Sequence, residues 1–132
     1  IDGRNKFRDL GWIEKKEILA IMSGAIAGLL TLREIPSHLE SLPVKMFEYM
    51  LSGIPVIASD FAFWRPFILE NNCGLVVDQT KAEEISDAIE WLIENPKEAK
   101  KMGANGRKAV LEKYNWKSEE KKLVSLYASL TI

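Results

Sequence analysis

Hydrophobic positions along the chain form two kinds of stretch, and these alternate in order. Short continuous runs rich in β-branched residues, at 25–32, 54–58 and 74–77, predict strands that are buried on both faces. Between and after these runs, apolar residues recur at helical spacing, which predicts helices over 15–23, 44–52, 63–71, 81–94, a stretch from residue 95 onward, and 117–130. Strands that alternate with helices are typical of an α/β fold with a parallel sheet.

A weaker pattern at 7–13, which ends in Gly11 and Trp12, is a candidate for a fourth strand. We therefore predict a Rossmann-like, doubly wound parallel sheet of about four strands with extra C-terminal helices. The dinucleotide-binding version of this sheet has six strands. Either the domain is a smaller α/β domain, or further strands precede residue 1.

The helix predicted over 81–94 has the clearest pattern of the six. One face carries the apolar residues and the opposite face the acidic ones. Thr80 and Glu83 have the spacing of a capping box, which predicts that their side chains close the start of this helix.

The composition limits the function classes. A chain of 132 residues with 47% hydrophobic and 28% charged residues is typical of one globular domain. The 18 basic and 19 acidic side chains nearly cancel, so we expect no nucleic acid partner. The longest apolar run, 25–30, is far shorter than the ~20 residues that cross a bilayer.

A few residues bear on cellular location, disulfide formation and metal binding. The first four residues carry no apolar segment of a signal peptide, and the single Cys73 cannot form an internal disulfide, so we expect a cytoplasmic protein. His38 is the only histidine and no cysteine cluster accompanies it. We therefore expect neither a metal site nor a cofactor.

The segment 33–43 is the candidate binding loop, because ligands of open parallel sheets bind beyond the carboxyl ends of the strands. Pro43 is suited to the first turn of the helix that follows, with Ser41 or Leu42 near the cap. The free N–H groups and the positive end of the helix dipole would then face the crevice, which predicts a phosphate site.

Two carboxylates flank this helix start: Glu40 on the loop, and Glu48 after seven intervening residues. One lies on a loop and the other in a helix, so the pair does not fit the acid and base of a hydrolase. Each carboxylate can accept two hydroxyl hydrogen bonds, so recognition of diols fits the pair better. The spacing by itself favours an ordinary helix glutamate at position 48.

The block from Glu40 to Asp60 resembles a family signature. Glu40, seven residues and Glu48 are followed by Gly53-Ile54-Pro55-Val56-Ile57-Ala58-Ser59, as in family 4 glycosyltransferases of the GT-B fold. Further similarity lies in Gly11-Trp12-Ile13, in Pro36-Ser37, in Gly74-Leu75-Val76-Val77, and in the C-terminal helices. The resemblance extends over nearly the whole chain.

The resemblance implies a role for each matching residue. Glu40 is the catalytic residue that lies against the transferred sugar, and Glu48 binds the ribose diol. The backbone of Ser41, Leu42, Pro43 and Val44 faces the diphosphate, while Trp12 and Ile13 lie by the base. Such enzymes transfer a sugar from a nucleotide-sugar donor, with retention and without a metal, to an acceptor such as a saccharide or a lipid-linked saccharide.

Two departures from the family pattern concern this site. Ser41-Leu42-Pro43 replaces the usual Gly-Phe-Gly, and the proline removes one backbone donor. Lys45 is either a substitute positive charge or a solvated lysine. A glutamate that the family often carries later is absent from the region 64–67, where Arg65 is either a ligand contact or a rim charge.

A third departure concerns the extent of the chain. The opening strand, glycine loop and Arg/Lys pair of the family's donor domain are missing, and so is the acceptor domain. Residues 1–132 are thus expected to be a single partial donor-binding domain, half of a GT-B architecture, and inactive alone. The full-length enzyme would act in polysaccharide or glycolipid assembly, and only it would contact a membrane peripherally.

Two alternatives belong to other classes. One is a non-catalytic α/β interaction domain such as a receiver module, although only Asp60 matches the acidic cluster that a receiver needs. The other is a different GT-B enzyme, such as a nucleotide-sugar epimerase. A product assay separates epimerisation from transfer.

Overall fold

A computed structural model describes residues 7–130, so the N-terminal residues used above to predict location lie outside the described part. Three strands and seven helices follow one another in the described chain: α1 Lys15–Ser23, β1 Gly28–Leu30, α2 Pro36–Leu39, α3 Val44–Leu51, β2 Val56–Ser59, α4 Trp64–Asn71, β3 Gly74–Val77, α5 Ala82–Glu94, α6 Pro96–Glu112 and α7 Trp116–Leu130. Within these residues, no helix combines the length and the apolar character needed to cross a membrane.

The sheet is parallel, with the strand order β1-β2-β3. All four residues of the central strand β2 are buried. Val56 and Ala58 belong to the core cluster that includes residues of α3 and α4, whereas Ile57 belongs to the cluster that includes residues of α5. Helices therefore cover both faces of the sheet, which confirms the doubly wound α/β fold.

The predicted strand at 7–13 is wrong, so the described sheet has three strands rather than about four. Phe7 and Trp12 are 78% and 90% exposed, and Gly11 adopts a left-handed φ of 64° while its N–H bonds the Asp9 carboxylate at 2.8 Å. A strand requires a neighbouring strand for its backbone groups, and no described strand pairs with this segment. The apolar residues at 7–13 alone could not show this.

The start of α5 also differs from the prediction. Lys81, not Thr80, is the N-cap residue, and it makes no side-chain cap bond. The Thr80 hydroxyl instead donates a 2.6 Å hydrogen bond to the Asp78 carboxylate, so the predicted capping box does not form. Asp78 competes successfully because it lies only two residues away, in the turn that follows β3.

Helix α6 packs closely across α3 and the adjoining turn at two of its glycines. A Cβ at Gly103 would overlap the carbonyl oxygen of Gly53, and one at Gly106 would lie 3.3 Å from Met50 and from Cys73. Arg107 adds a 2.8 Å hydrogen bond from Nη1 to the carbonyl of Leu51, at the end of α3. The middle of α6 thus holds the C-terminal end of α3, the helix that begins at the candidate site.

Candidate functional site

A cleft of about 620 Å³ opens beyond the carboxyl ends of all three strands. This is the location expected for the ligand site of an open parallel sheet. Its lining comes from the connections after β1, β2 and β3: Glu34, Leu39, Asp60, Phe61, Ala62, Asp78 and Gln79.

The connection after β1 contains a short helix that the sequence did not indicate. Helix α2 begins at Pro36, a residue suited to the first helical position, and ends at Leu39. The His38 ring nitrogen Nδ1 lies 2.8 Å from the carbonyl oxygen of Arg33. His38 therefore closes the turn before α2.

The start of α3 lies next along the chain. Pro43 is the N-cap residue, with φ −71° and ψ 145°, so the helix begins at Val44 rather than at the proline. The N–H of Met46 bonds the carbonyl of Pro43, but no hydrogen bond of the described residues uses the N–H of Val44 or Lys45. The first turn of a helix leaves such donors for an external acceptor.

The residues between α2 and α3 are partly exposed and partly anchored. Val44 is 73% exposed, whereas Leu42 packs against the core cluster beneath it. The Ser41 hydroxyl donates to the carbonyl of Ser37 at 2.8 Å, and the Ser41 carbonyl accepts a 2.7 Å hydrogen bond from Trp64 Nε1. Anchoring from both sides gives this connection a defined conformation.

The two predicted glutamates lie on either side of the start of α3. Glu40 is exposed at the C-cap of α2, one residue after Leu39 of the cleft wall, and Glu48 is half-buried in the second turn of α3. Neither glutamate is among the residues that line the cleft. Lys45 Nζ lies 3.4 Å from the Glu48 carboxylate, so the charge of Lys45 is paired in this structure.

Trp12 and Ile13 precede α1 and are the predicted contacts to the base. The Trp12 side chain is almost fully exposed, and Ile13 is half-buried. Within the described residues, Trp12 has no aromatic partner within stacking distance. The roles of these residues, of the two glutamates and of residues 41–44 stay predictions.

The indole of Trp64 is part of the core. Its side chain is fully buried, and its ring centroid lies 4.6 Å from that of Phe61. Although Trp64 comes shortly after β2, on the side of the sheet where ligands are expected, it is therefore unavailable as a stacking platform for a ligand. Arg65, next in sequence, places Nη1 2.6 Å from the Asp60 carboxylate at the rim of the cleft.

The sequence did not group the acidic residues of the cleft, Glu34, Asp60 and Asp78. Each follows the end of a predicted buried strand, and that position was the signal in the sequence that could have identified the group.

Hydrogen bonds from the Thr80 hydroxyl and, to a smaller extent, from the Thr80 N–H hold the pKa of Asp78 below its usual range. In the described part of the chain, no group of three or more His, Cys, Asp or Glu residues could hold a metal ion.

Comparison with known proteins gives a family match over most of the chain. The model of the family described as glycosyl transferases group 1 matches residues 3–109. A solved structure, the sucrose-phosphate synthase from Thermosynechococcus elongatus, superposes with a TM-score of 0.74 at 27% identity, over 92% of this chain and 29% of that one.

Curated relatives are similarly longer than this chain. The MMP alpha-(1->4)-mannosyltransferase of Mycolicibacterium hassiacum is 30% identical over 87% of this chain and 27% of its own length. The GDP-mannose-dependent alpha-(1-6)-phosphatidylinositol monomannoside mannosyltransferase of Mycolicibacterium smegmatis is 30% identical over 66% of this chain and 23% of its own. The chain thus spans about a quarter of the length of these relatives.

Proposed function

Because the chain belongs to the group 1 glycosyl transferases, we propose that it forms the donor-binding, C-terminal part of a retaining GT-B enzyme. The enzyme transfers a sugar from a nucleotide-sugar donor to a saccharide or lipid-linked acceptor, in polysaccharide or glycolipid assembly. Its site works in the cytoplasm, without a metal in the donor site.

The observation that carries this proposal is the unpaired start of α3 beside the cleft. The N–H groups of Val44 and Lys45 have no partner among the described residues, and the connection before them follows Leu39 of the cleft wall. A helix start favours negative charge through these donors and through the helix dipole. The diphosphate of a nucleotide sugar is such an anion, and its negative charge grows as it leaves.

The two glutamates have different environments, which supports different roles. Glu40 is exposed and has no ion pair among the described residues, so its carboxylate is available to the hydroxyls of the transferred sugar. Glu48 is half-buried and lies beside Lys45, which limits its orientations and leaves further lone pairs for two ribose hydroxyls. Each carboxylate then recognises a diol rather than moving a proton.

The remaining parts of the proposal concern the whole enzyme. The chain spans only about a quarter of the length of its mannosyltransferase relatives. We propose that acceptor binding uses an N-terminal domain beyond these 132 residues. Residues 1–132 alone would bind donor weakly and transfer no sugar.

The test is a titration of the full-length protein with nucleoside diphosphates, followed by a product assay. One relative is named as GDP-mannose-dependent, so GDP and GDP-mannose are measured first, with UDP and UDP-sugars beside them. Glu48→Ala should weaken binding by roughly 10- to 100-fold, the effect of losing charge-assisted hydrogen bonds worth about 1.5 to 3 kcal/mol.

The matched control is Glu90→Ala, which removes an exposed helix glutamate on α5 and should leave the affinity unchanged. Equal affinity of Glu48→Ala and the parent protein would refute the ribose role. A product that is an epimerised nucleotide sugar, with no transfer to any acceptor, would refute the transferase assignment for this member of the family.

A further inference from the structure

The indole N–H of Trp64 connects α4 to the segment between α2 and α3. Trp64 is fully buried, and the single hydrogen-bond donor of its side chain bonds the backbone carbonyl of Ser41 at 2.7 Å. The two residues are 23 positions apart, so this hydrogen bond joins separate elements.

This hydrogen bond ties the backbone of the connection 40–43 to α4, in addition to the packing of Leu42 against the core. The Ser41 hydroxyl bonds Ser37, and the Pro43 carbonyl accepts from Met46, so both of these bonds are local. Among the described residues, Trp64 is the one hydrogen-bond partner of 40–43 that lies outside the α2–α3 region. The direction of the Ser41 carbonyl therefore depends on the indole of Trp64.

Fixing one carbonyl also fixes the N–H that follows it. A peptide unit is planar and trans, so the C=O of Ser41 and the N–H of Leu42 point in opposite directions. With the carbonyl directed at Trp64, the N–H of Leu42 points away from that buried ring, and no hydrogen bond of the described residues uses it. Since Pro43 has no N–H, Leu42 supplies the last backbone donor before α3 begins.

We propose that Trp64 is a positioning residue: its indole N–H orients the Ser41–Leu42 peptide so that the Leu42 N–H joins the donors of the first turn of α3 on the diphosphate of the donor. This inference rests on the proposed function, because it assumes that the start of α3 receives a nucleoside diphosphate. Trp64 itself touches no substrate.

The experiment replaces Trp64 in the full-length protein with 3-benzothienylalanine, in which sulfur replaces the indole N–H and the ring shape is kept. Affinities for a nucleoside diphosphate and for the matching monophosphate are measured by calorimetry. We expect the Kd of the diphosphate to rise roughly tenfold, as for the loss of one hydrogen bond in the site. The Kd of the monophosphate should change by much less, because a single phosphate engages fewer of the N–H donors at the start of α3.

The same replacement at Trp91, a partly exposed residue of α5, is the matched control and should change neither affinity. If circular dichroism shows that the Trp64 variant is unfolded, the affinities of Trp64→Phe for the diphosphate and the monophosphate are compared instead. Unchanged diphosphate affinity, or equal losses for both ligands, would overturn the positioning role. If the parent protein itself binds no nucleoside diphosphate, the proposed function fails first, so the two failures are distinguishable.

Discussion

The hydroxyl of Ser59, at the end of β2, donates a 2.8 Å hydrogen bond to the carbonyl of Leu32, two residues beyond the end of β1. It also lies 3.3 Å from the carbonyl oxygen of Leu30. Ser59 is fully buried; its contact with Leu30 is shielded from water and its contact with Leu32 is partly shielded. The Ser59 side chain thus links the end of β2 to the residues that follow β1, where the chain enters the cleft.

Replacing Ser59 with alanine should destabilise the fold. The carbonyls of Leu30 and Leu32 would lose a partner at a buried and a partly buried contact, which costs about 1 to 3 kcal/mol of the free energy of unfolding. Urea unfolding followed by circular dichroism measures this change. Ser23→Ala, which removes an exposed hydroxyl bonded to Leu19 within α1, is the control and should have little effect. Equal losses of stability in Ser59→Ala and Ser23→Ala would contradict a stabilising role of the Ser59 hydrogen bonds.

The contact between Gly103 and Gly53 predicts an unusual effect of a helix-favouring substitution. Alanine in an exposed helix position is normally better than glycine by ~1 kcal/mol. Gly103→Ala should instead destabilise by about 1 to 3 kcal/mol, because its Cβ would overlap the Gly53 carbonyl and force α6 away from α3. Gly106→Ala meets only side chains at 3.3 Å and should cost less. Thermal unfolding of both variants compares the two losses of stability. A larger loss for Gly106→Ala than for Gly103→Ala would be inconsistent with the structure.

Cys73 should be chemically inert in the folded protein. Burial raises the pKa of its thiol from 9.0 to about 11. The unfolded chain therefore loses the thiol proton at a lower pH than the folded chain. The stability present below pH 9 should then fall as the pH rises toward about 11. Cys73→Ala should remove this part of the pH dependence. Rapid labelling of native Cys73 by iodoacetamide at pH 8 would contradict the prediction that the thiol is inert.

Thr80→Val should raise the pKa of Asp78. The largest cause of its lowered pKa is the hydrogen bond from the Thr80 hydroxyl, which valine cannot make. A lowered pKa in the folded state contributes stability above the unfolded pKa, and this contribution is lost as the pH falls through the folded value. The variant should therefore lose less stability on acidification. An NMR titration of the Asp78 carboxyl measures the shift, with Thr31→Val, outside this turn, as the control.

Glu40→Gln tests the proposed sugar contact in the full-length enzyme. The amide keeps the size of the side chain but loses the charge, so hydrogen bonds to the sugar hydroxyls should weaken. A loss of about 1.5 to 3 kcal/mol in the transition state corresponds to a roughly 10- to 100-fold lower rate of transfer. Affinity for the nucleoside diphosphate without sugar should stay nearly constant. A variant with full transfer activity would exclude the catalytic role of Glu40.

The order and type of most elements were predictable because they depend on local periodicity. The strand at Gly74–Val77 and the helix at Lys15–Ser23 have the predicted bounds, and α3, α4 and α5 differ from prediction by one residue. Membership in the group 1 glycosyl transferases was predictable too. Glu40, Glu48 and the Gly-x-Pro-Val run lie close together in the sequence, so their spacing can be read without knowing the fold.

Other features depend on which groups are close in space. The segment 7–13 is apolar enough for a strand but pairs with no described strand, and Thr80 bonds Asp78 rather than capping α5. Trp64 has the position of an exposed stacking residue after β2, yet its ring lies in the core and its N–H reaches Ser41. The amino-acid sequence determined the fold class, the longer helices and the family, because these follow from local patterns. Only the tertiary structure decided the partners of buried polar groups, because a hydrogen bond between residues 23 positions apart exists only after the chain has packed.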